Sequence, residues 1–257
     1  EEPELPIADT TTVVSVVVED SIALAPIEEA EQSTKKESEI KVKEELERRP
    51  KVLAERKSKE EAERVSFEAT SFVNGYGYVD LGLSVKWATC NIGASSLSDY
   101  GDYYAWGETG IKNNYSWETY NYCAGNYWSC QDIGDNIAGT RYDVARQKWG
   151  GTWRLPTKAE VQELCDGCVW TWVTQGNKRG QKVTSKKNGK SIFLPAAGCF
   201  NGTTDHSVNS TGFYWCAMTG DEKFHALSLR IYENNAGHHL YNLENRFLGA
   251  SVRPVSD

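Results

Sequence analysis

Seven cysteines, four histidines and two small groups of carboxylates are the residues of this 257-residue chain whose chemistry could go beyond packing. The cysteines are Cys90, Cys123, Cys130, Cys165, Cys168, Cys199 and Cys216, and an odd number leaves at least one unpaired within the chain. Cys123 and Cys130 bracket the short segment AGNYWS, a spacing open to a local disulfide. Cys165-Asp166-Gly167-Cys168 has the spacing of a redox or metal pair. It follows a helix end without a βαβ context, and zinc needs two further ligands. Two partly buried thiols are the simpler reading. His238 and His239 are adjacent, so on a strand they point to opposite faces and do not converge on one metal. Asp132, Asp135 and Asn136 could offer oxygens to Ca²⁺, although their spacing matches no complete calcium loop. Calcium is the one cofactor left open, and no metal site is assigned.

Catalytic patterns are sparse. Asp99, Asp102 and Glu108 lie beside Tyr and Trp and superficially suggest a glycosidase pair. Such a pair needs a raised pKa and a defined carboxylate separation, and spacing supplies neither. Carboxylates closing a loop are the better account. No nucleophile elbow, phosphate loop or zinc-protease helix occurs, so no catalytic residue is assigned. Binding chemistry is better represented, in the segment 232–248 (YENNAGHHLYNLENRFL). Asn and His offer adaptable hydrogen bonds, and Tyr offers rigid aromatic area. Trp215, Tyr232, Asn234, His238, Tyr241, Asn242 and Glu244 form the candidate contact face, with Phe224 beside Trp215 as a possible floor. The plainer alternative is a polar surface hairpin turning at Asn235-Ala236-Gly237.

The elements that must position these groups divide the chain in two. Residues 1–70 carry 19 acidic and 11 basic residues, and the remainder carries 17 of each, so the net charge of −8 lies in the first part. All 22 Gly, 9 Trp and 7 Cys follow residue 70. Residues 1–70 therefore read as an acidic, helix-prone or disordered spacer that cannot build a core alone. Within it, the β-branched run Thr10–Val18 is strand-prone, and Pro50 interrupts a charged helix. Residues 71–257 are long enough for one core. No run of 18 apolar residues is present, so no membrane span is expected. The uncharged balance after residue 70 argues against nucleic acid. Glu1 with no initiator Met reads as a trimmed product.

Inside the second part, Tyr76–Ala88 reads as two strands around a turn, and Tyr103–Glu108 as an aromatic strand. Residues 109–140 read as a long loop. Tyr142–Lys148 is a short helix with Asp143 at its start and Gly150-Gly151 as its stop. Thr157 and Glu160 have the spacing of a capping box, followed by Val161 and Leu164 on one helical face. Gln181–Leu194 reads as a hairpin with a type I′ turn at Asn188-Gly189. Gly212–Trp215, Ala226–Tyr232 and Ser251–Val255 complete a mostly antiparallel sheet. The class is α+β with two helices.

The strings YVDLGLSVKWATCNIGAS, DYGDYYAWGE, WGGTWRLPTKAE, KVTSKKNGKSIFLPAAG, GFYW and GASVRPV, in that order over residues 76–255, resemble a large family of Bacteroidetes surface proteins. That family is related to the paralogous domain first noted in Fibrobacter. The RLPT-x-A-E string is also similar to that of formylglycine-generating enzymes, which share the C-type-lectin-like fold. The resemblance implies a C-type-lectin-like domain, exported and held at the envelope behind a spacer. Its expected role is adhesin-like, non-catalytic binding of a surface glycan or protein. In some related lectin-fold proteins the last strands are diversified to vary ligand binding, and 232–248 lies at that place. Formylglycine-generating enzymes use closely spaced late cysteines, whereas Cys199 and Cys216 are far apart, so that activity is not expected. The lectin-type sugar-binding calcium signatures are absent. A structural subunit remains the alternative, with Thr10–Val18 pairing to another chain's sheet edge.

Overall fold

A computed structural model describes residues 71–233 and 238–257, with Lys43, Glu44, Arg48 and Pro50; for 238–242 it describes the backbone alone. The chain divides into two units, Glu1–Ser66 and Phe67–Asp257. Of the first unit the four described residues are helical and exposed, Pro50 included. The rest of the expected spacer and the strand-prone Thr10–Val18 lie outside the described residues.

The second unit is mostly antiparallel sheet with two helices among the described residues, consistent with an α+β or mostly-β class. Its strands are β1 (Ser71–Val73), β2 (Tyr76–Val79), β3 (Lys86–Ala88), β4 (Cys168–Gln175), β5 (Lys178–Ser185), β6 (Ser191–Pro195), β7 (Cys199–Asn201), β8 (Thr204–His206), β9 (Thr211–Thr219), β10 (His225–Tyr232), β11 (His238–Asn245) and β12 (Val255–Ser256). They form four small sheets, ordered β1-β2-β3-β12, β11-β10-β9, β4-β5-β6 and β7-β8. The last strand pairs with the third, Val255 opposite Trp87, so the domain closes on its own beginning.

Helix α1 (Val144–Trp149) starts at Asp143, whose carboxylate accepts from the amides of Ala145 and Arg146. It ends where Gly150 takes φ of 64°, a left-handed conformation that glycine adopts without penalty. Helix α2 (Lys158–Gly167) opens on the capping box: Glu160 N donates to Thr157 Oγ1, and Thr157 N donates to Glu160 Oε2 at 2.7 Å. The same Glu160 receives two bonds from the Arg154 guanidinium, at 2.9 and 2.7 Å. Val161, Leu164 and Cys165 then bury one face of α2 against Trp87, Val183, Leu194 and Leu229. A second cluster gathers Trp106, Trp149, Trp153 and Trp215, and a third lies beneath the long loop around Tyr115, Tyr120 and Phe247.

Three local expectations need correction. The β5–β6 connection is not type I′. Ser185 N bonds Lys190 O, Ser185 Oγ accepts from Lys187 N, and Asn188 Oδ1 accepts from Lys190 N, which builds a four-residue loop with Gly189 alone left-handed. Two-residue turns with both φ positive occur instead at Asn74-Gly75, at 46° and 84° between β1 and β2, and at Gly176-Asn177, at 53° and 61° between β4 and β5. Tyr103–Glu108 is not a strand. It touches its neighbours at Tyr104–Ala250 and Trp106–Arg246, then turns where Glu108 N reaches Ala105 O. Ser251–Val255 is extended but changes partner along its length, from Phe213 and Trp215 at Ser251 to Arg154 at Val255, so only its end is ladder.

Candidate functional site

Of the expected contact residues, side chains are described for Trp215, Tyr232 and Glu244. Trp215 is 2% exposed and belongs to the core, its indole N–H donating to Tyr104 O at 2.7 Å. It is therefore removed from the contact face. Glu244 is also buried, paired with Arg230 at 2.5 Å, and the Arg230 guanidinium lies 4.7 Å from the Phe213 ring centroid. Tyr232 is half-buried, with its carbonyl taking a bond from Gln181 Nε2. Asn234 lies outside the described residues. For His238, Tyr241 and Asn242 only backbone position is described: β11 places His238 opposite Ile231 and Asn242 opposite Ser228. With Glu244 opposite Ala226, these residues run along about 20 Å of strand at 3.4 Å per residue.

The structure instead brings together a face that the sequence reading missed. Cys123 and Cys130 form a disulfide with Cα atoms 4.0 Å apart, closing the loop between them. Gln131 N donates to Tyr122 O at 2.7 Å and zips its base. Inside the loop, Asn126 Oδ1 accepts from the amides of Trp128 and Ser129, and Ser129 Oγ accepts from Ala124 N. Each bond fixes backbone that a free loop would leave mobile. The loop apex is a single 3-10 turn, Tyr127–Ser129. It presents Trp128 at 80% exposure beside Tyr127 at 39%, ring centroids 4.4 Å apart.

Tyr127 links this apex to the core. Its ring lies 5.3 Å from Phe224 and 6.5 Å from Trp117, and Trp117 meets Phe247 edge-on at 4.6 Å. Arg246, buried beneath, donates from Nη1 to Gln131 O and from its backbone N to Phe224 O, while its guanidinium covers Trp106 at 4.4 Å. The disulfide loop, the β9–β10 connection and the end of β11 thus converge. Such a rooted aromatic pair is pre-organised, so little ordering entropy is lost when a ligand covers it.

The same long loop encloses a cleft of 520 Å³ lined by Glu108, Lys112, Asn113, Thr119, Asn121 and Tyr122, among others. Glu108 is buried, accepts from Asn121 N at 2.8 Å and pairs with Lys112 Nζ at 2.5 Å. Lys112 also donates to Thr119 O and lies within 6 Å of the Tyr115 and Tyr120 rings (5.8 and 5.7 Å). The charged pair is therefore internally satisfied, and the rest of the wall carries amides, hydroxyls, one aromatic ring and the aliphatic side chain of Ile111. That lining suits a neutral hydroxyl-rich group.

The three carboxylates that suggested a glycosidase pair have separate duties. Asp99 accepts from Ser95 N and Oγ, which hold its carboxyl below the ordinary value of 3.8. Asp102 accepts from Tyr104 OH, and Glu108 serves Lys112. Burial pushes the thiols of Cys165 and Cys216 up to about 12 and those of Cys168 and Cys199 up to about 11. At neutral pH these four are protonated, which makes them poor nucleophiles and poor metal ligands. Asp132 Oδ1 and Asn136 Oδ1 each accept a backbone amide two residues on, from Gly134 and Ala138. Among the described residues no three His, Cys, Asp or Glu side chains gather as a metal site, and no helix is long and apolar enough to cross a membrane.

Because the other cysteines are free thiols, mild reductant acts on one bond among the described residues. Reduction is expected to lower the unfolding free energy by about 2–3 kcal/mol, the loop-closure entropy of so short a ring. Denaturant midpoints with and without reductant measure it. No shift would mean that the zipped base holds the loop without the disulfide. No family model, curated protein or solved structure matches the chain.

Proposed function

We propose that this chain is a non-catalytic recognition protein of C-type-lectin-like architecture, displayed at a bacterial cell surface, that binds a glycan through the Tyr127–Trp128 apex. The observation that carries this reading is the exposure of Trp128 on a loop closed by a disulfide and rooted by aromatic contacts. An indole face left in water gains on meeting an apolar sugar face, and a rigid one gains most. The neighbouring cleft adds amide and hydroxyl partners for sugar hydroxyls. The disulfide supports an oxidising compartment and hence export. An acidic spacer in residues 1–70 suits attachment to the envelope.

The test is a glycan and mucin array probed with the full chain, with Trp128→Ala, and with a hairpin variant carrying Tyr232→Ala, His238→Ala, Tyr241→Ala and Asn242→Ala. Binding by the wild type that falls at least about tenfold in Trp128→Ala and persists in the hairpin variant is the expected result. Loss in the hairpin variant alone would return the site to the last strands. A wild-type chain that binds no glycan would overturn the glycan reading.

A further inference from the structure

We propose that the Tyr127–Trp128 apex takes an amino-sugar polymer, held through a free ammonium group on the sugar; this rests on the reading of the apex as a glycan-binding face. Three chain segments meet around the two rings, and each brings exposed carboxylate. Glu118 stands beside Trp117, Asp132 and Asp135 come just after Cys130, and Asp221 and Glu222 come just before Phe224. Phe224 lies 5.3 Å from Tyr127 and 6.4 Å from Trp117. Among the described residues none of these carboxylates is in an ion pair. No Lys or Arg occurs between Lys112 and Arg141. The cations at hand are the exposed Lys223 and the buried Arg246. Burial lowers the Arg246 pKa, while Tyr120, Asp132 and Asp135 act to raise it, so both aspartates are felt at the root of the apex. Glu108 adds no charge, because Lys112 neutralises it. The surroundings of the two rings are therefore acidic.

Carboxylates alone would be an ordinary solvated rim. What gives these a ligand is the aromatic face at their centre. The face of an indole ring is negative, and among aromatic side chains it holds a cation best. Elsewhere, half-buried rings meet the chain's own cations: Lys178 lies 4.1 Å from the Tyr100 ring centroid, Arg141 4.8 Å from that of Tyr142, and Arg179 5.5 Å from that of Trp172. Among the described residues no cation lies over Trp128, which is 80% exposed. An ammonium on a sugar ring would meet Trp128 as those cations meet their rings, with carboxylates from three segments to favour its charge. The apolar face of the same sugar would lie on the indole. A uronic, sialylated or sulfated sugar would bring like charge to the carboxylates, and a neutral sugar would leave them unused.

Calorimetric titration of the full chain with a glucosamine hexamer and with its N-acetylated counterpart tests the proposal, at a pH where the free amines are protonated. The two share a backbone and differ in charge. The glucosamine hexamer is expected to bind about tenfold more tightly, and added salt to narrow the gap. Trp128→Ala is expected to weaken both by about tenfold or more. Glu118, Asp132 and Glu222 are exposed, so a chain carrying Glu118→Gln, Asp132→Asn and Glu222→Gln should fold. It is expected to bind the glucosamine hexamer no more tightly than the N-acetylated one. If the wild type binds the N-acetylated hexamer as tightly, the ammonium is wrong and the glycan reading stands. A wild type that binds neither hexamer would overturn the amino sugar, and the glycan array decides the glycan reading separately. Glucosamine binding unchanged in Trp128→Ala would leave the carboxylates acting as a bare polyanion and remove the apex from the site. A lysine tetrapeptide bound as tightly as the hexamer would put the ammonium on a protein partner and overturn the sugar.

Discussion

Asp143→Ala is expected to lower the unfolding free energy by about 3–5 kcal/mol, roughly 10 °C in Tm for a domain of this size. The Asp143 side chain is fully buried and holds four backbone amides at once. Oδ1 accepts from Ala145 and Arg146 at 2.9 and 3.3 Å, capping α1, and Oδ2 accepts from Gly139 and Leu155 at 2.7 and 2.9 Å. One side chain thereby fixes the exit of the long loop, the start of α1 and the approach to α2. Alanine orphans all four donors, two of them outside the helix where no cap can substitute. Asp143→Asn keeps one acceptor oxygen but turns an amide N–H₂ toward donors, so a loss of about half that size is expected.

The pH dependence has a definite sign. Burial raises the Asp143 carboxyl above its ordinary value of 3.8, against the pull of the four amides. An acid raised in the native state binds its proton more tightly folded than unfolded. Its contribution is present below 3.8 and is lost as pH rises through the native value. Asp143→Asn removes that titration. The stability gap between wild type and Asp143→Asn should therefore narrow as pH rises across this window, measured by urea midpoints. A gap that widens would mean that the amides outweigh burial.

Asp143 was legible in the sequence as a helix start, and so were the Thr157–Glu160 box and the Gly150 stop, because each acts within a turn of its own position. β10 was legible too, within one residue of its start. β4 was not. Its apolar residues fall on both parities, Val169 and Val173 against Trp170 and Trp172, so alternation names no buried face. The closing string GASVRPV looks like a strand because every residue is extended. It makes little ladder because its backbone bonds reach Tyr104, Phe213, Ile92, Ala88 and Arg154 in turn. The exposed Tyr127–Trp128 apex was missed for a similar reason. Trp128 and Trp215 are alike in sequence, each beside a Tyr, and only tertiary packing buries one and leaves the other in water. The local signal for Trp128 was the cysteine bracket around it, which marks a short loop too small to hide an indole.

Arg253→Met is expected to cost about 3–5 kcal/mol, and Arg253→Lys at least as much. Arg253 is 1% exposed, and no carboxylate is among its hydrogen-bond partners. Nε donates to Asn91 Oδ1 at 2.9 Å, Nη1 to Ala88 O and Thr89 O at 3.1 Å each, and Nη2 to Phe193 O at 2.9 Å. Burial lowers its pKa, but guanidinium starts so high that it stays charged. A buried cation held by three carbonyls and an amide is tolerated only when its donors are almost all used. The planar fork does this, tying the turn after β3 to β6 and to the C-terminal segment. A lysine retains the charge yet has one ammonium to reach acceptors that surround a plane, so a buried charge is left poorly solvated. Methionine abandons the acceptors but removes that charge. If Arg253→Lys proved close to wild type by chemical denaturation, positive charge alone would be holding the closure, and the geometry of the fork would be incidental.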